Sequence, residues 1–471
     1  VKDAAPNLDQ LSAIHADGSR RNIVPADVHG RFLTGRRIVY AILIAIYVLL
    51  PFVHVGGHPA LQLDIVERRF YLFGAVFNAQ DTWRGVFLLL TAGTAILFLT
   101  TWYGRIWCGW ACPQTVFLEG VYRRIERWLE GAREHHLRRD AGPLTMEKIV
   151  RKATKHAAFF AVSLILANVA IAFFVSLPSL GSMIRQDPRE NWVAFSWVMT
   201  ITALLYANFA WFREQLCIVV CPYGRLQSAL LDKQSVIIGY DVGRGEPRGR
   251  ITRAERSGTA LPVVRKGDCV DCGRCVAVCP TAIDIRNGTQ MECIGCAQCI
   301  DACDDVMARL SRPKGLIRYD SLAGLQGEPR RTWRARLVIY GALVVVSATA
   351  LVLVTALRTP FEANIVRVTG APYVLDGDTI RNQYELHLVN KNPVPTTFHV
   401  DVSSSVPMEL AIPARSIPVG SLDHFRLPIF VTVKRSDFRL PFELHLVVKD
   451  DASGQTRTIP VRFLGPLGAI R

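Results

Sequence analysis

Apolar residues are unevenly placed along this chain. Up to about residue 357 they gather into long runs separated by charged stretches, and beyond Arg358 they alternate singly with polar residues. Five runs are long enough to cross a bilayer as helices: Ile38–Val55, Val86–Tyr103, Ala157–Leu177, Trp192–Phe212 and Leu337–Leu357. The last spans 21 uncharged residues, about 31 Å of helix. A buried helix of a soluble protein is rarely apolar on every face over that length. Residues 1–37 are mostly polar, and no small-residue cleavage site follows the first run. That run is therefore expected to be a retained span rather than a signal peptide.

After Arg358 the period changes from helical to two. Gln383–Val389 alternates and meets the turn Asn390-Lys391-Asn392-Pro393. Thr397–Ser403, Phe425–Lys434, Phe442–Lys449 and Thr456–Phe463 are further strand candidates, with turn residues between them. The spacing predicts an immunoglobulin-like β-sandwich over 358–471, with a barrel as the other closure.

Charge adds orientation. Lys and Arg number six in 1–37, eleven in 104–156 and twenty in 213–336, but three in 56–85 and two in 178–191. Rich and poor segments alternate, as five spans require. The basic ones are expected on the cytoplasmic side, and 358–471 on the periplasmic side of a bacterial inner membrane. The net charge of +15 is then mostly a topology signal. A nucleic-acid partner is not expected, because the arginines flank apolar runs rather than forming a stripe.

Cysteines bring the chemistry. Cys269, Cys272, Cys275 and Cys279 are followed by Cys293, Cys296, Cys299 and Cys303, each run reading C-x-x-C-x-x-C-x-x-x-C. This is the spacing of two-cluster bacterial ferredoxins, in which three thiolates come from one run and the fourth from the other. Two [4Fe–4S] clusters are expected. One takes Cys269, Cys272, Cys275 and Cys303; the other takes Cys293, Cys296, Cys299 and Cys279. A zinc module would leave the third cysteine of each run unexplained. Asp304 and Asp305, after the second run, should lower a potential if they face a cluster. All twelve cysteines precede residue 304, on the reducing side of this topology, so they read as ligands or redox groups rather than disulfides.

The other four cysteines form a repeat. Trp102…Cys108-x-x-x-Cys112-Pro113 recurs 109 residues later as Trp211…Cys217-x-x-x-Cys221-Pro222, each copy closing a span. A spacing of i, i+4 stacks two thiols on one face of a helix. If the halves face each other, four soft donors converge on a site suited to Cu(I), with zinc or an iron–sulfur centre also possible. Packing is the plain alternative for a free cysteine. His54 and His58 are a second metal candidate or interfacial anchors. His135, His136 and His156 are expected to face solvent or headgroups. Arg123, Arg124 and Arg127, interleaved with Ile125 and Trp128, read as an interfacial helix on anionic lipid.

The two C-x-x-x-C-P segments, the runs through Cys293–Met307, the stretch from Asp64 to Asp81 and the β-rich tail together resemble the FixG/RdxA/CcoG family of accessory proteins for cbb3-type cytochrome c oxidase. The resemblance spans nearly the whole chain. It implies a membrane-bound electron carrier that reduces Cu(II) to Cu(I) for copper delivery, with Cys108, Cys112, Cys217 and Cys221 as the copper site. It further implies a cytosolic electron donor, a copper transporter or chaperone, and oxidase assembly factors as partners. A quinol-linked electron-transfer subunit and a non-catalytic assembly scaffold remain alternatives.

The expected architecture is a multi-domain membrane protein. It comprises a cytoplasmic segment (1–37) and a helical membrane domain (38–238). An inserted α+β two-cluster ferredoxin domain follows (239–336, core 267–310), entered by a linker at Gly239–Lys266. A fifth span (337–357) and an all-β immunoglobulin-like domain (358–471) complete it. The oligomeric state stays open.

Overall fold

The computed structural model describes residues 22–65, 69–78, 81–250, 267–329, 331, 333–392 and 394–466. Gln80, Pro393, residues 1–21 of the N-terminal segment and residues 251–266 of the expected linker lie outside the described residues. The chain divides into two compact units. The first comprises 1–54, 59–62 and 87–350; the second comprises 55–58, 63–86 and 351–471.

Among the described residues, five helices are long and apolar enough to cross a membrane: Arg31–Phe52, Arg84–Tyr103, Met146–Ile171, Trp192–Phe212 and Ala335–Ala356. Two begin well before their hydropathy boundaries. The third begins at Met146 rather than Ala157, because Thr145 caps it, accepting from Lys148 N at 3.2 Å. Helix geometry thus carries on through Lys148, Arg151, Lys152 and Lys155, which apolarity alone does not reveal. The first begins at Arg31, not Ile38. Its N-terminal amides are capped from far along the chain: Asp301 accepts from Leu33 N at 2.8 Å and from Phe32 N at 3.3 Å. A carboxylate there also complements the positive end of the helix dipole. Gly30 leaves room for it, since a Cβ at that position would run into the Asp301 side chain.

Asp301 lies on the helix Gln298–Arg309, between two cysteines of the second run, so this cap ties the ferredoxin region to the first span. The segment read as a linker is partly ordered structure. Ile237–Tyr240 forms an antiparallel pair with Ile317–Asp320, which lies beyond the expected ferredoxin core at 267–310. Alternation over only four residues was too short to see. These strands share one apolar core with the ferredoxin cysteines, through Ile238, Tyr240, Ile300, Met307, Leu316 and Ile317.

In the second unit two separate sheets face each other, a sandwich and not a barrel. One sheet orders Glu409–Ala411, His424–Lys434, Thr379–Asn390 and Phe361–Arg367, with Val374–Asp376 pairing beside them. The other orders Ser416–Val419, Thr396–Ser403, Phe442–Asp450 and Thr456–Phe463. In Thr379–Asn390 every second side chain is buried, starting at Ile380. The set includes two asparagines, each satisfied. Asn382 bonds Leu464 in both directions, at 2.7 and 3.1 Å, and Asn390 donates to Val394 O and Gly420 O. Asp81, from the loop before the second span, is buried in this unit among three cations. Arg84 contacts it, Lys391 Nζ lies at 3.1 Å and Arg358 Nε at 3.1 Å.

Candidate metal centres

The two ferredoxin runs fold as copies 24 residues apart. Asp271 (φ 52°) corresponds to Gly295 (φ 68°), and Gly273 (φ 67°) to Ala297 (φ 63°). Left-handed residues at these points curl each C-x-x-C-x-x-C loop around a centre. The helices that follow, Arg274–Ala277 and Gln298–Arg309, start at equivalent positions. Only glycine takes such a φ freely, so Asp271 and Ala297 hold it against a local cost.

The thiols fall into two groups. Cys303 has Cys275, Cys272 and Cys269 as electrostatic neighbours. Cys299 has Cys296, Cys293 and Cys279, with Cys275 as its more weakly coupled neighbour. Burial pushes the thiols of Cys275 and Cys303 up to about 12 and that of Cys296 up to about 11. Each group is an all-sulfur donor set, buried or half-buried against an apolar core except for the exposed Cys272. Such a set fits an iron–sulfur cluster, whose cationic irons offset the thiolate charge.

Asp304 and Asp305 behave differently. Asp305 turns out to pair with Arg309 at 2.9 Å. Asp304 acts on Cys303, and its Oδ1 accepts from Gly315 N at 2.9 Å.

The membrane repeat is visible in the backbone. Each copy opens on a positive φ, 62° at Gly104 and 53° at Arg213. Each then closes a wide turn: Cys112 N donates to Trp107 O at 2.8 Å, and Cys221 N to Leu216 O at 2.7 Å. The i, i+4 helical stacking is not realised. Cys108 lies on the helix Ile106–Trp110 and Cys217 on the π-turn Leu216–Val220, but Cys112 and Cys221 are extended residues that precede the next helix. Pro113 and Pro222 are the cause. A residue before proline is driven out of the helical region, while proline suits the first helical position.

The four thiols are nonetheless brought together. Cys217 has Cys112, Cys108 and Cys221 as electrostatic neighbours, and Cys108 has Cys112 and Cys221. Burial, and after it the neighbouring thiols, pushes both Cys108 and Cys217 up to about 12, so a bound cation must displace protons. Cys108 Sγ lies 3.4 Å from Oε1 of the buried Gln227, whose Nε2 has no hydrogen-bond partner among the described residues. The thiols are not packed as around a single ion. Among the described residues no three Cys, His, Asp or Glu ligand atoms lie mutually within 4.8 Å except those of Glu126, Glu130 and His136.

The two cysteine systems touch. A Cβ on Gly109 would meet Ile294 O at 2.6 Å and Cys296 N at 2.9 Å. Glycine is required there so that the Cys108 helix can press on the Cys293–Cys296 loop. Arg105 donates to Cys293 O at 3.1 Å. Trp110 Nε1 bonds Tyr319 Oη at 3.2 Å, and Tyr319 Oη donates to Gly295 O at 2.6 Å. From the first span, Arg36 Nε and Tyr40 Oη both donate to Gly109 O, at 3.0 and 2.6 Å. Sequence reading missed Arg36, Tyr40, Arg105, Gly109 and Tyr319. Arg36 left no distinct signal, because it precedes the apolar run that starts at Ile38 and stands beside Arg37.

Other expected residues sit elsewhere. His54 is exposed, and His58 stacks on Tyr71 at 5.2 Å. His135 and His156 are exposed, but His136 is buried between Glu130 and Asp140, at 3.2 and 3.1 Å. The Glu126–Glu130–His136 group is filled by cations rather than open to a metal, with Lys155 at 3.1 Å from Glu130 and Arg213 at 2.8 Å from Glu126. Arg124, Arg127 and Trp128 face outward as an interfacial helix requires. Arg123 instead turns inward to Glu119 and Glu214 and donates to Pro280 O at 3.2 Å.

Comparison with known proteins agrees with this organisation. Residues 212–322 match the 4Fe-4S dicluster domain family, 84–133 a 4Fe-4S binding domain family, and 351–466 the IG-like fold at the C-terminus of FixG. The nitrogen fixation protein FixG of Rhizobium meliloti is 33% identical, covering 93% of this chain and 92% of that protein. Protein RdxA of Cereibacter sphaeroides is 35% identical over 83% of this chain and 84% of its own length. Protein RdxB of the same organism is 32% identical over 95% and 96%. With clustered thiols beside membrane-length helices and relatives matched nearly end to end, the chain belongs to the FixG/RdxA family of membrane-bound iron–sulfur electron-transfer proteins.

Proposed function

We propose that this chain carries single electrons from a cytosolic donor to the paired thiols at the inner face of the membrane, where Cu(II) is reduced to Cu(I) for assembly of a cbb3-type cytochrome c oxidase. In this reading Cys269, Cys272, Cys275 and Cys303 hold one [4Fe–4S] cluster, and Cys279, Cys293, Cys296 and Cys299 hold the other. When bound, these clusters supply one-electron carriage. Cys108, Cys112, Cys217 and Cys221 bind the copper substrate, which takes one electron per ion. Soft thiolates favour the cuprous product over the cupric substrate.

The observation that carries the reading is the contact of Gly109 with Ile294 and Cys296, which joins the two cysteine systems without an intervening side chain. The Lys/Arg alternation supports a cytoplasmic ferredoxin region and a periplasmic β-domain in the inner membrane. That β-domain would dock a copper chaperone or another assembly factor. Anaerobically purified, pre-reduced protein should convert Cu(II) to chelator-trapped Cu(I). Replacing Cys108 and Cys112 by Ser should slow that conversion at unchanged iron content. Conversion at the parent rate would show that copper is reduced elsewhere.

One observation pair favours a second reading, in which the four membrane thiols hold a further iron–sulfur centre. The match to a 4Fe-4S binding domain covers Cys108 and Cys112, and the thiols stand wider apart than one ion needs. Iron counting separates the two, at about eight atoms per chain against about twelve.

A further inference from the structure

Arg36 is buried inside the first span, with 1% of its surface exposed. It makes no ion pair among the described residues. Its hydrogen bonds go to neutral groups: Tyr40 Oη at 3.1 Å and Gly109 O at 3.0 Å from Nε. The Gln298 carboxamide, oriented so that it also donates to Val278 O, accepts from Arg36 Nη1 at 2.7 Å. A guanidinium cannot shed its proton, and burying one without a counter-charge is costly. Its largest electrostatic partner is Cys296. The missing counter-charge is therefore the one a thiolate-bound cluster would bring.

The surrounding charges do not cancel this. Glu119 faces the same region but is held by Arg123. At Cys293 the charges of Arg105 and Glu292 act in opposite directions. The other thiol group has an unpaired carboxylate beside it instead. Asp304 acts on Cys303 and makes no ion pair among the described residues; its one hydrogen bond is to a backbone amide. Arg286 is the foremost charged neighbour of Cys275, ahead of Asp284, and is itself bound by Asp284 and Asp271 at 2.7 and 2.5 Å, so Asp304 is the carboxylate there without a cationic partner among the described residues.

We propose that Arg36 and Asp304 set the two clusters at different potentials, Arg36 raising that of the Cys279/Cys293/Cys296/Cys299 centre and Asp304 lowering that of the Cys269/Cys272/Cys275/Cys303 centre. Nearby charge is one of the determinants of cluster potential. Reduction adds one negative charge, which a buried guanidinium stabilises and a carboxylate opposes. The order runs downhill toward Gly109 and the paired thiols. Arg36 is a positioning residue in this scheme, holding Gly109 O while it biases the adjacent centre. The inference rests on the cluster assignment proposed above.

The test is an EPR-monitored redox titration of the intact chain in detergent, with Cys303→Ser and Cys279→Ser marking which signal belongs to which centre. Arg36→Met should lower the midpoint of the Cys296 centre by at least tenfold in its reduction equilibrium, about 59 mV for one electron. Arg36→Lys should restore part of the shift. Asp304→Asn, which keeps an acceptor for Gly315 N, should raise the other midpoint and leave the first unchanged. If Arg36→Met is not recovered folded, the Arg36→Lys and Asp304→Asn shifts decide alone. Unmoved midpoints in variants that retain eight irons would overturn this inference and leave the cluster assignment standing. Parent protein purified anaerobically without iron would overturn both.

Discussion

Single residues decide how the cysteines are shared between centres. Cys279 ends the first run in sequence, yet its thiol neighbours Cys293 and Cys299 of the second. Cys279→Ala should therefore damage the centre of Cys293, Cys296 and Cys299 and spare the other. EPR of the reduced protein reads this directly, and loss confined to the Cys269 centre would reverse the assignment. Asp81 is the residue-scale determinant of the second unit. Its fully buried carboxylate serves Arg84, Arg358 and Lys391 together. Asp81→Asn removes the anion and leaves three cations facing one another. Breaking a buried ion pair from one side costs on the order of 3 kcal/mol. Thermal unfolding should show that loss in the β-sheet signal, and an unchanged midpoint would mean the cations find water instead.

At the scale of elements, the paired thiols depend on two broken helices. Pro113 and Pro222 start new helices, so Cys112 and Cys221 stand at breaks where side chains can turn toward one centre. An unbroken helix would have kept each pair on its own face. The same design brings the Cys108 helix against the Cys296 loop, which only a glycine permits. Gly109→Val would place methyl groups where Ile294 O already stands 2.6 Å from a Cβ. Overpacking of this kind costs about 1–3 kcal/mol. The variant should keep its iron but pass electrons to added Cu(II) more slowly in stopped-flow absorbance. A parent rate would show that this contact is not the route.

For the whole molecule, the charge alternation predicts opposite sides for the two regions. Reporter fusions at Gly327 and Gly454 should report cytoplasm and periplasm respectively, and the same side for both would mean a miscounted span. In the proposed orientation the β-domain would meet changing pH, and its carboxylates set the response. Burial would raise Glu362, but the hydrogen bond and charge of Lys391 outweigh it and hold Glu362 below the usual range. Asp450 is likewise held low, with Ser453 and Thr396 outweighing its burial. A lowered folded-state value contributes stability that is complete above the unfolded value, about 4.3 for Glu. It is lost as pH falls through the folded value. Circular dichroism melts should therefore be flat from pH 7 to 5 and fall below about 4. Lys391→Met should reduce that acid-dependent part of the loss.

The sequence by itself determined the five spans, the strands of the tail and the cysteine inventory, because these are written in local period and spacing. Hydrophobic run length, alternation and C-x-x-C intervals need no knowledge of what lies across the fold. The sandwich strands were legible for the same reason, with Thr456–Phe463 matching to the residue. What tertiary structure decided are relations between distant positions. Asp301 caps a helix 268 residues away, and Asp81 anchors a domain through Lys391. The short strand Ile237–Tyr240 exists only because Ile317–Asp320 pairs with it. Arg36 looked like flanking charge and is a buried cation at a thiol site. Burial, ion pairing and close backbone approach depend on which surfaces meet in three dimensions, and spacing along one chain does not encode that directly.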